Sequence, residues 1–539
     1  MTAWNYADVW RAIAAVQPDQ PALQQGEREV SWGQFHDQAL GLSSWLRARG
    51  VGADSKVAMY LYNSPEYLVS FYATLLGRSV PVNTNYRYGS EELVYLFDNA
   101  DAEAVIFHGT FTSMVDDIRP HLEKLTAFIF VDDGSGDCPA WATPFDEAVA
   151  TPATPAPPGS PDDLIFLYTG GTTGMPKGVM WRNDDLFALM NAGSFRRVDD
   201  DADTAGVAAL IERDGPGYSM LPACPLMHGT GLFSAMSALS AGGRVVMLPS
   251  RHFDATELAS TIDRYQVNVA VIVGDPFARP LLRALDTDPG RYQLGSVFAI
   301  VSSGAMWSEE IKRGLLRHHP DMLLVDVFSS SEALGMGASI SRGDESEKTA
   351  RFSLGEHVKV VGDDGREIEP GSDEIGRLML GGRLPLGYFK DEAKSASTFQ
   401  VHEGRRYSVP GDMAKVNADG TIQLLGRGSQ CINSAGEKVF PEEVEETLKS
   451  HPAVADSCVV GVPDEEFGQR IVAAVELHPG ESVDEASLIS HVKIHLAHYK
   501  APRGIRFVDS IGRAVNGKMD YARHQREAAE WAAAVAEGR

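Results

Sequence analysis

Apolar and polar positions along the chain follow two alternating periods. Between residues 7 and 83 the helical spacing dominates: Leu40, Leu42, Trp45 and Leu46 gather before Gly50, and residues 67–76 are mostly apolar. Short strand-like runs, VAMYLY (57–62) and AVIFH (104–108), fall between the helical stretches. Farther on, NVAVIV (268–273), SVFAIV (296–301) and MLLVDVF (322–328) alternate with helices in the same way. The spacing predicts a helix over 255–265, capped by Asp254, with Leu258, Ile262 and Tyr265 on one face. Another begins after Ser308, where Glu309 and Glu310 in the first turn suit the helix dipole. This alternation predicts an α/β protein with a layered, mostly parallel sheet.

Two breaks divide the pattern. The segment TPATPAPPGSP (151–161) holds five prolines in eleven residues and reads as a semi-rigid loop. After about residue 430 the alternation restarts on a smaller scale, with helix 441–450 opened by Pro441, strands 454–462 and 471–477, and helix 484–499. A second domain of α+β type is expected, joined near GRGSQ (426–430), so the domains are placed at 1–428 and 429–539. No repeat with a solenoid period is visible, and DDDAD (199–203) reads as a solvated loop.

The 539 residues exclude a peptide hormone or a lone binding module, and 44% hydrophobic with 23% charged residues is ordinary for a folded enzyme. The net charge of −26 repels phosphate backbones, so nucleic acid is not an expected partner. Any anionic substrate must then be met by a few placed cations, backbone N–H groups or a metal. Four cysteines without a C-x-x-C pair suggest a reducing compartment. The N-terminal MTAWNYADVW has no leader pattern and no apolar stretch nears membrane-spanning length, so no integral membrane segment and a cytoplasmic location are expected.

The densest chemistry lies in YTGGTTGMPKG (168–178), which follows the apolar LIFL. Four glycines, three threonines and a lysine read as a loop that can aim N–H groups, hydroxyls and an ammonium at a polyphosphate. It is not a Walker loop, because Pro176 stands where that motif needs Gly and Gly178 replaces its metal-binding hydroxyl. The order of residues resembles the phosphate-binding signature of the adenylate-forming superfamily, which includes acyl-CoA synthetases, amino-acid adenylation domains and luciferases. PLMHGTG (225–231), FSSSE (328–332), YSVPGD (407–412), GRGSQCINSAGEKVFPEEVE (426–445) and NGK (516–518) resemble further motifs of that superfamily, in its order. Singly, each has an ordinary structural reading: a turn aspartate, a helix N-terminal glutamate, a loop histidine, a surface lysine. The ordered set outweighs those readings.

The resemblance implies a large N-terminal domain of layered α/β sheets with a β-barrel-like part, and a small mobile α+β C-terminal domain. It implies that Thr169, Gly170, Gly171, Thr172, Thr173 and Lys177 contact the ATP phosphates, and that Thr169 and Glu332 hold Mg²⁺. Ser331 would touch the α-phosphate, Asp412 with Arg427 the ribose, and Lys518 would bridge the substrate carboxylate and α-phosphate. His228 would line the acyl pocket, while Gly436 and Lys438 would approach coenzyme A after domain rotation. The chemistry is consistent: a carboxylate is already ionised at neutral pH and needs no general base, only relief from repulsion by another anion.

Three positions depart from the superfamily pattern. Phe328 for Tyr keeps a ring for adenine, Ser329 for Gly narrows the space beside the acyl pocket, and Ser429 stands at the hinge where Asp or Lys is common. Acetate-type relatives carry Trp at the position of Ser329, and amino-acid adenylation domains carry Asp at that of Gly229. Neither is present, so a hydrophobic acid is expected, lined by Met227, Gly229, Gly231, Phe233, Met236 and Gly335, although Met236 also suits plain helix packing. The string TGGTTGMPKGVMW is similar to that of bacterial ligases for fatty or sterol side-chain acids. No carrier-domain pattern follows Lys518, so coenzyme A is the expected acceptor. Loading of a separate carrier protein and non-catalytic nucleotide binding are the alternatives, and a homodimer is left open. Cys431 and Cys458 read as structural.

Overall fold

A computed structural model of the protein describes residues 3–171, 174–199, 201–344, 348–434, 437–464, 467–514 and 517–537. Among these, the strands form three sheets. The largest has a parallel half in which Pro21–Gln25, Arg244–Met247, Ser219–Pro222, Val269–Ile272, Ala299–Ser303 and Leu323–Ser330 lie side by side. Its other half is antiparallel, running from Ala333–Ser341 through Arg351–Leu354, Ile422–Arg427 and Asp412–Val416 to Gly376–Leu380. This is the region expected to be barrel-like, and its strand order is an open path among the described residues.

The second sheet is parallel through Ala127–Val131, Ala102–His108, Lys56–Tyr60 and Val80–Asn83, and continues into the antiparallel pair Leu164–Gly171 and Gly174–Arg182, with Gly387–Tyr388 antiparallel at the edge. Helices between the sheets bury one continuous core that includes Trp10, Trp32, Trp181 and Trp307. The third sheet belongs to the C-terminal unit: Val454–Asp464 and Gly468–Leu477 pair antiparallel, and Ile505–Val508 adds in parallel. Helices Pro441–Lys449 and Glu485–His495 contribute Val444, Leu448, Leu488 and Val492 to one of its cores. Tyr521–Glu537 packs on the other, with Cys458, Val472 and Ala528.

The helix expected over 255–265 is found there, with Asp254 accepting from the N–H groups of Thr256 and Glu257 at 2.7 and 2.9 Å. Ser308 holds the N-cap position of Glu309–His318, but its hydroxyl bonds Asp275 Oδ1 at 3.1 Å instead of capping. The helix expected over 484–499 is shorter, because Leu496 turns extended after His495. Within DDDAD, Asp203 caps the helix Thr204–Asp214, accepting from Gly206 N–H at 3.0 Å, so that part of the run serves a helix end; Asp200 lies outside the described residues. No described helix is long and apolar enough to cross a membrane.

Candidate active site

The glycine- and threonine-rich segment forms a β-hairpin. Thr169 faces Lys177 across it and Gly171 faces Gly174, while Thr172 and Thr173 lie outside the described residues. Gly178 is required locally: a Cβ there would come within 2.7 Å of the Tyr168 ring, whose hydroxyl donates to Asn99 Oδ1 at 2.7 Å. Lys177 Nζ lies 2.7 Å from Asp391 Oδ2, and this contact, with the N–H of Lys394, holds the Asp391 carboxyl below its ordinary range. Asp391 caps Glu392–Thr398 as well, so the lysine is tied to a fixed element.

A cleft of about 1110 Å³ separates this hairpin and the strand ends of the large sheet from the C-terminal unit. Thr169 and Gly170 reach it from the hairpin, Ser331 and Glu332 from the turn after Leu323–Ser330, and Lys518 from the C-terminal unit. Asp412 and Arg427 enter it as directly opposed residues of two antiparallel strands. The turn is pinned by Trp181, whose Nε1–H donates to the Ser331 carbonyl at 3.0 Å. Tyr388 donates its hydroxyl to Glu332 Oε1 at 2.8 Å. Phe328 lines the cleft with its ring 5.6 Å from that of Phe352.

The Asp412 carboxyl is buried, with Oδ1 3.7 Å from Arg427 Nε and Oδ2 without a hydrogen-bond partner among the described residues. Burial raises its pKa, Arg427 opposes the rise, and Glu332 adds to it. Such an acceptor, enclosed and unsatisfied, suits the hydroxyls of a sugar. Lys518 opens onto the cleft, yet the enclosing walls strip its ammonium of water and lower its pKa, helped by Arg427 and opposed by Glu332. Its loop is held by Arg513, which grips Asp456 at 2.6 and 2.9 Å and donates to the Gly517 carbonyl at 3.2 Å. Gly517 itself, at φ +72°, sits so close to Val273 and Pro276 that a Cβ would meet them at 3.1 and 3.3 Å. Asn516 lies outside the described residues.

His228 stands at the N-cap of Gly229–Ser240, and burial together with the charges of Lys518 and Arg87 pushes its pKa down to about 3, so the ring is neutral. Gly231 is obligatory, since a Cβ would lie 2.5 Å from the Pro225 carbonyl oxygen. Met236 is fully buried in the main core and acts as helix packing. Ser329 accepts the Gly335 N–H at 2.9 Å, which turns its hydroxyl to its own loop. Lys438 is exposed on Glu437–Val439 and does not line the cleft, and Gly436 lies outside the described residues. The four cysteines are free; Cys224 and Cys458 are buried, which pushes their thiols up. Sequence reading missed Tyr388 and Asp391. The only signal was GYFKD (387–391), where a glycine releases an aromatic and a charged pair.

The pattern described as AMP-binding enzyme matches residues 10–389, and that described as AMP-binding enzyme C-terminal domain matches 443–518. The chain belongs to the AMP-binding enzyme family. It is 40% identical over 528 residues to a 3-oxocholest-4-en-26-oate–CoA ligase of Rhodococcus rhodochrous, covering 96% of this chain and 95% of the relative. It is 38% identical to the medium-chain acyl-CoA ligase Mig of Mycobacterium avium, covering 96% and 97%. The crystal structure of the anthranilate CoA ligase AuaEII in complex with anthranoyl-AMP shares the fold at a TM-score of 0.83 and 24% identity, over 99% of both chains. Members of the AMP-binding enzyme family that are CoA ligases use ATP and coenzyme A.

Proposed function

We propose that this protein joins a hydrophobic carboxylic acid of medium or greater size to coenzyme A through an acyl-AMP, with the cleft residues in the roles that follow. The reaction class is that of an ATP-dependent, AMP-forming acid–CoA ligase. One observation carries the site assignment: Lys518 of the C-terminal unit shares a single cleft with Thr169, Glu332, Asp412 and Arg427 of the N-terminal unit. In the first step a carboxylate oxygen attacks the α-phosphorus, the bond to the β-phosphate oxygen breaks, and pyrophosphate leaves. Lys518 neutralises the two anions as they meet, Lys177 and the hairpin N–H groups hold the phosphates, and Asp412 accepts from the ribose. In the second step the coenzyme A sulfur attacks the acyl carbonyl, the bond to AMP breaks, and the thiol proton passes to solvent.

Glu332 and Thr169 would hold Mg²⁺, which would supply positive charge at the phosphates. The described residues contain no group of three or more His, Cys, Asp or Glu able to cage a metal, and a lone carboxylate plus phosphate oxygens is the usual Mg²⁺ environment. The domain boundary is placed at 428/429, supported by the end of strand Ile422–Arg427 there and the start of a different sheet at Ile432–Ser434. After rotation about that point, Gly436 and Lys438 would face coenzyme A.

The acid class is supported by Ser329 and Gly229, which neither plug the pocket nor pair an ammonium, and by the names of the relatives. The test is thioester formation across acids of graded length and bulk. Each added CH₂ contributes about 0.8 kcal/mol until the pocket fills, so kcat/KM should climb several-fold per methylene. Preference for acetate or an amino acid would overturn the acid assignment. Acyl-AMP without thioester from free coenzyme A would favour carrier loading, and binding of ATP without either product would leave a non-catalytic relative.

A further inference from the structure

The geometry points to Asn83 as a positioning residue that fixes the distance between the phosphate hairpin and the acyl-pocket loop. The inference rests on the roles proposed above for those two walls. Asn83 is buried and ends the strand Val80–Asn83, whose backbone pairs with Leu164–Gly171 only at Val82 and Phe166. Beyond that point its side chain takes over the ladder. Oδ1 accepts the Tyr168 N–H at 2.6 Å, and Nδ2 donates to the Tyr168 carbonyl at 2.9 Å and to the Met227 carbonyl at 2.7 Å.

Tyr168 directly precedes Thr169, and Met227 directly precedes His228. One short amide therefore clamps both walls by their backbones, with both N–H donors and the carbonyl engaged. No other side chain of this size offers two donors and an acceptor. Aspartate would set a carboxylate against two carbonyl oxygens, and alanine would leave all three backbone groups unpaired.

The clamp matters to one step only. When acyl-AMP forms, carboxylate and α-phosphate belong to separate molecules, and their separation is set by the two walls. A misplacement of about 1 Å at this stage can cost about a hundredfold in rate. In the thioester step the acyl group and phosphate are already one molecule, so the distance between the walls no longer sets the reacting geometry.

The experiment compares Asn83→Asp and Asn83→Ala with Asn183→Ala. Asn183 is equally enclosed, but it bonds the backbone of Tyr6 and Asp163 away from the cleft. Pyrophosphate release reads the first step, and thioester from supplied acyl-AMP and coenzyme A reads the second. In folded Asn83 variants the first-step kcat is expected to fall by about tenfold or more, with KM for ATP and the second step each changing less than about threefold. Asn183→Ala is expected to lower the melting temperature and leave the ratio of the two steps unchanged. Parallel loss of both steps in the Asn83 variants, an unaltered first step, or failure of both variants to fold would overturn the assignment. Should the wild-type protein itself release no pyrophosphate with any acid, the proposed function fails instead.

Discussion

At the scale of single residues, the roles proposed for the cleft assign charge neutralisation to one group and binding to the others. Lys518 is held facing the cleft between the units by Arg513 and by the close approach of Gly517 to Val273, and in the proposed mechanism nothing in the thioester step requires an ammonium between two anions. Lys518→Ala should therefore cut acyl-AMP formation by at least about a hundredfold and leave thioester formation from supplied acyl-AMP within a few-fold. Equal loss in separate half-reaction assays would move the lysine out of its role. Motif order alone grouped Lys518, Glu332, Asp412 and Arg427, and all four line one cleft. The partners that hold the site, Asp391 on Lys177 and Tyr388 on Glu332, were not legible. Each is brought in from far along the chain by strand pairing, and nothing in its own neighbourhood announces the contact.

At the scale of elements, the glycine- and threonine-rich segment is a hairpin, and its Gly178 answers to packing. Tyr168 lies across Gly178, so Gly178→Ala must displace a buried ring or the strand carrying Lys177. A loss of about 1–3 kcal/mol in stability is expected from such overpacking, together with a higher KM for ATP. Denaturant unfolding and ATP titration check the two effects, and an unchanged KM would mean the strand does not transmit the strain. Sequence pattern read this segment as a loop because glycine and threonine carry no periodic signal. The same pattern placed the helix at 255–265 correctly, since Asp254 and a clean apolar stripe agree there. It passed over Pro21–Gln25, which is short and half polar and gains its place by pairing with Arg244–Met247.

At the scale of the whole molecule, the arrangement that brings Lys518 into the cleft also buries acid between the two units. Glu442 on Pro441–Lys449 lies directly against Gly426, where any side chain would collide with its carboxylate. Burial pushes its pKa up to about 8; Glu445 and Asp412 add to the rise, and the backbone N–H of Arg427 opposes it. Glu445, fully enclosed beside Asp456 and Arg513, is pushed up to about 7. Both values lie above the ordinary 4.5, so between that pH and about 8 the folded protein binds more protons than the unfolded chain. Stability is therefore fullest below pH 4.5 as far as these two groups are concerned, and falls as pH rises through 7 to 8. Glu442→Gln keeps the shape and removes one titration. Its melting temperature should decline less steeply than that of the wild type across this window and exceed it at the alkaline end. Rotation of the C-terminal unit would release the same proton, so the variant should also hold the Lys518-in arrangement more firmly at alkaline pH and slow the thioester step relative to adenylation there. Melting curves from pH 5 to 8.5 that run parallel for variant and wild type would show that the Glu442 carboxyl is already ionised in this interface.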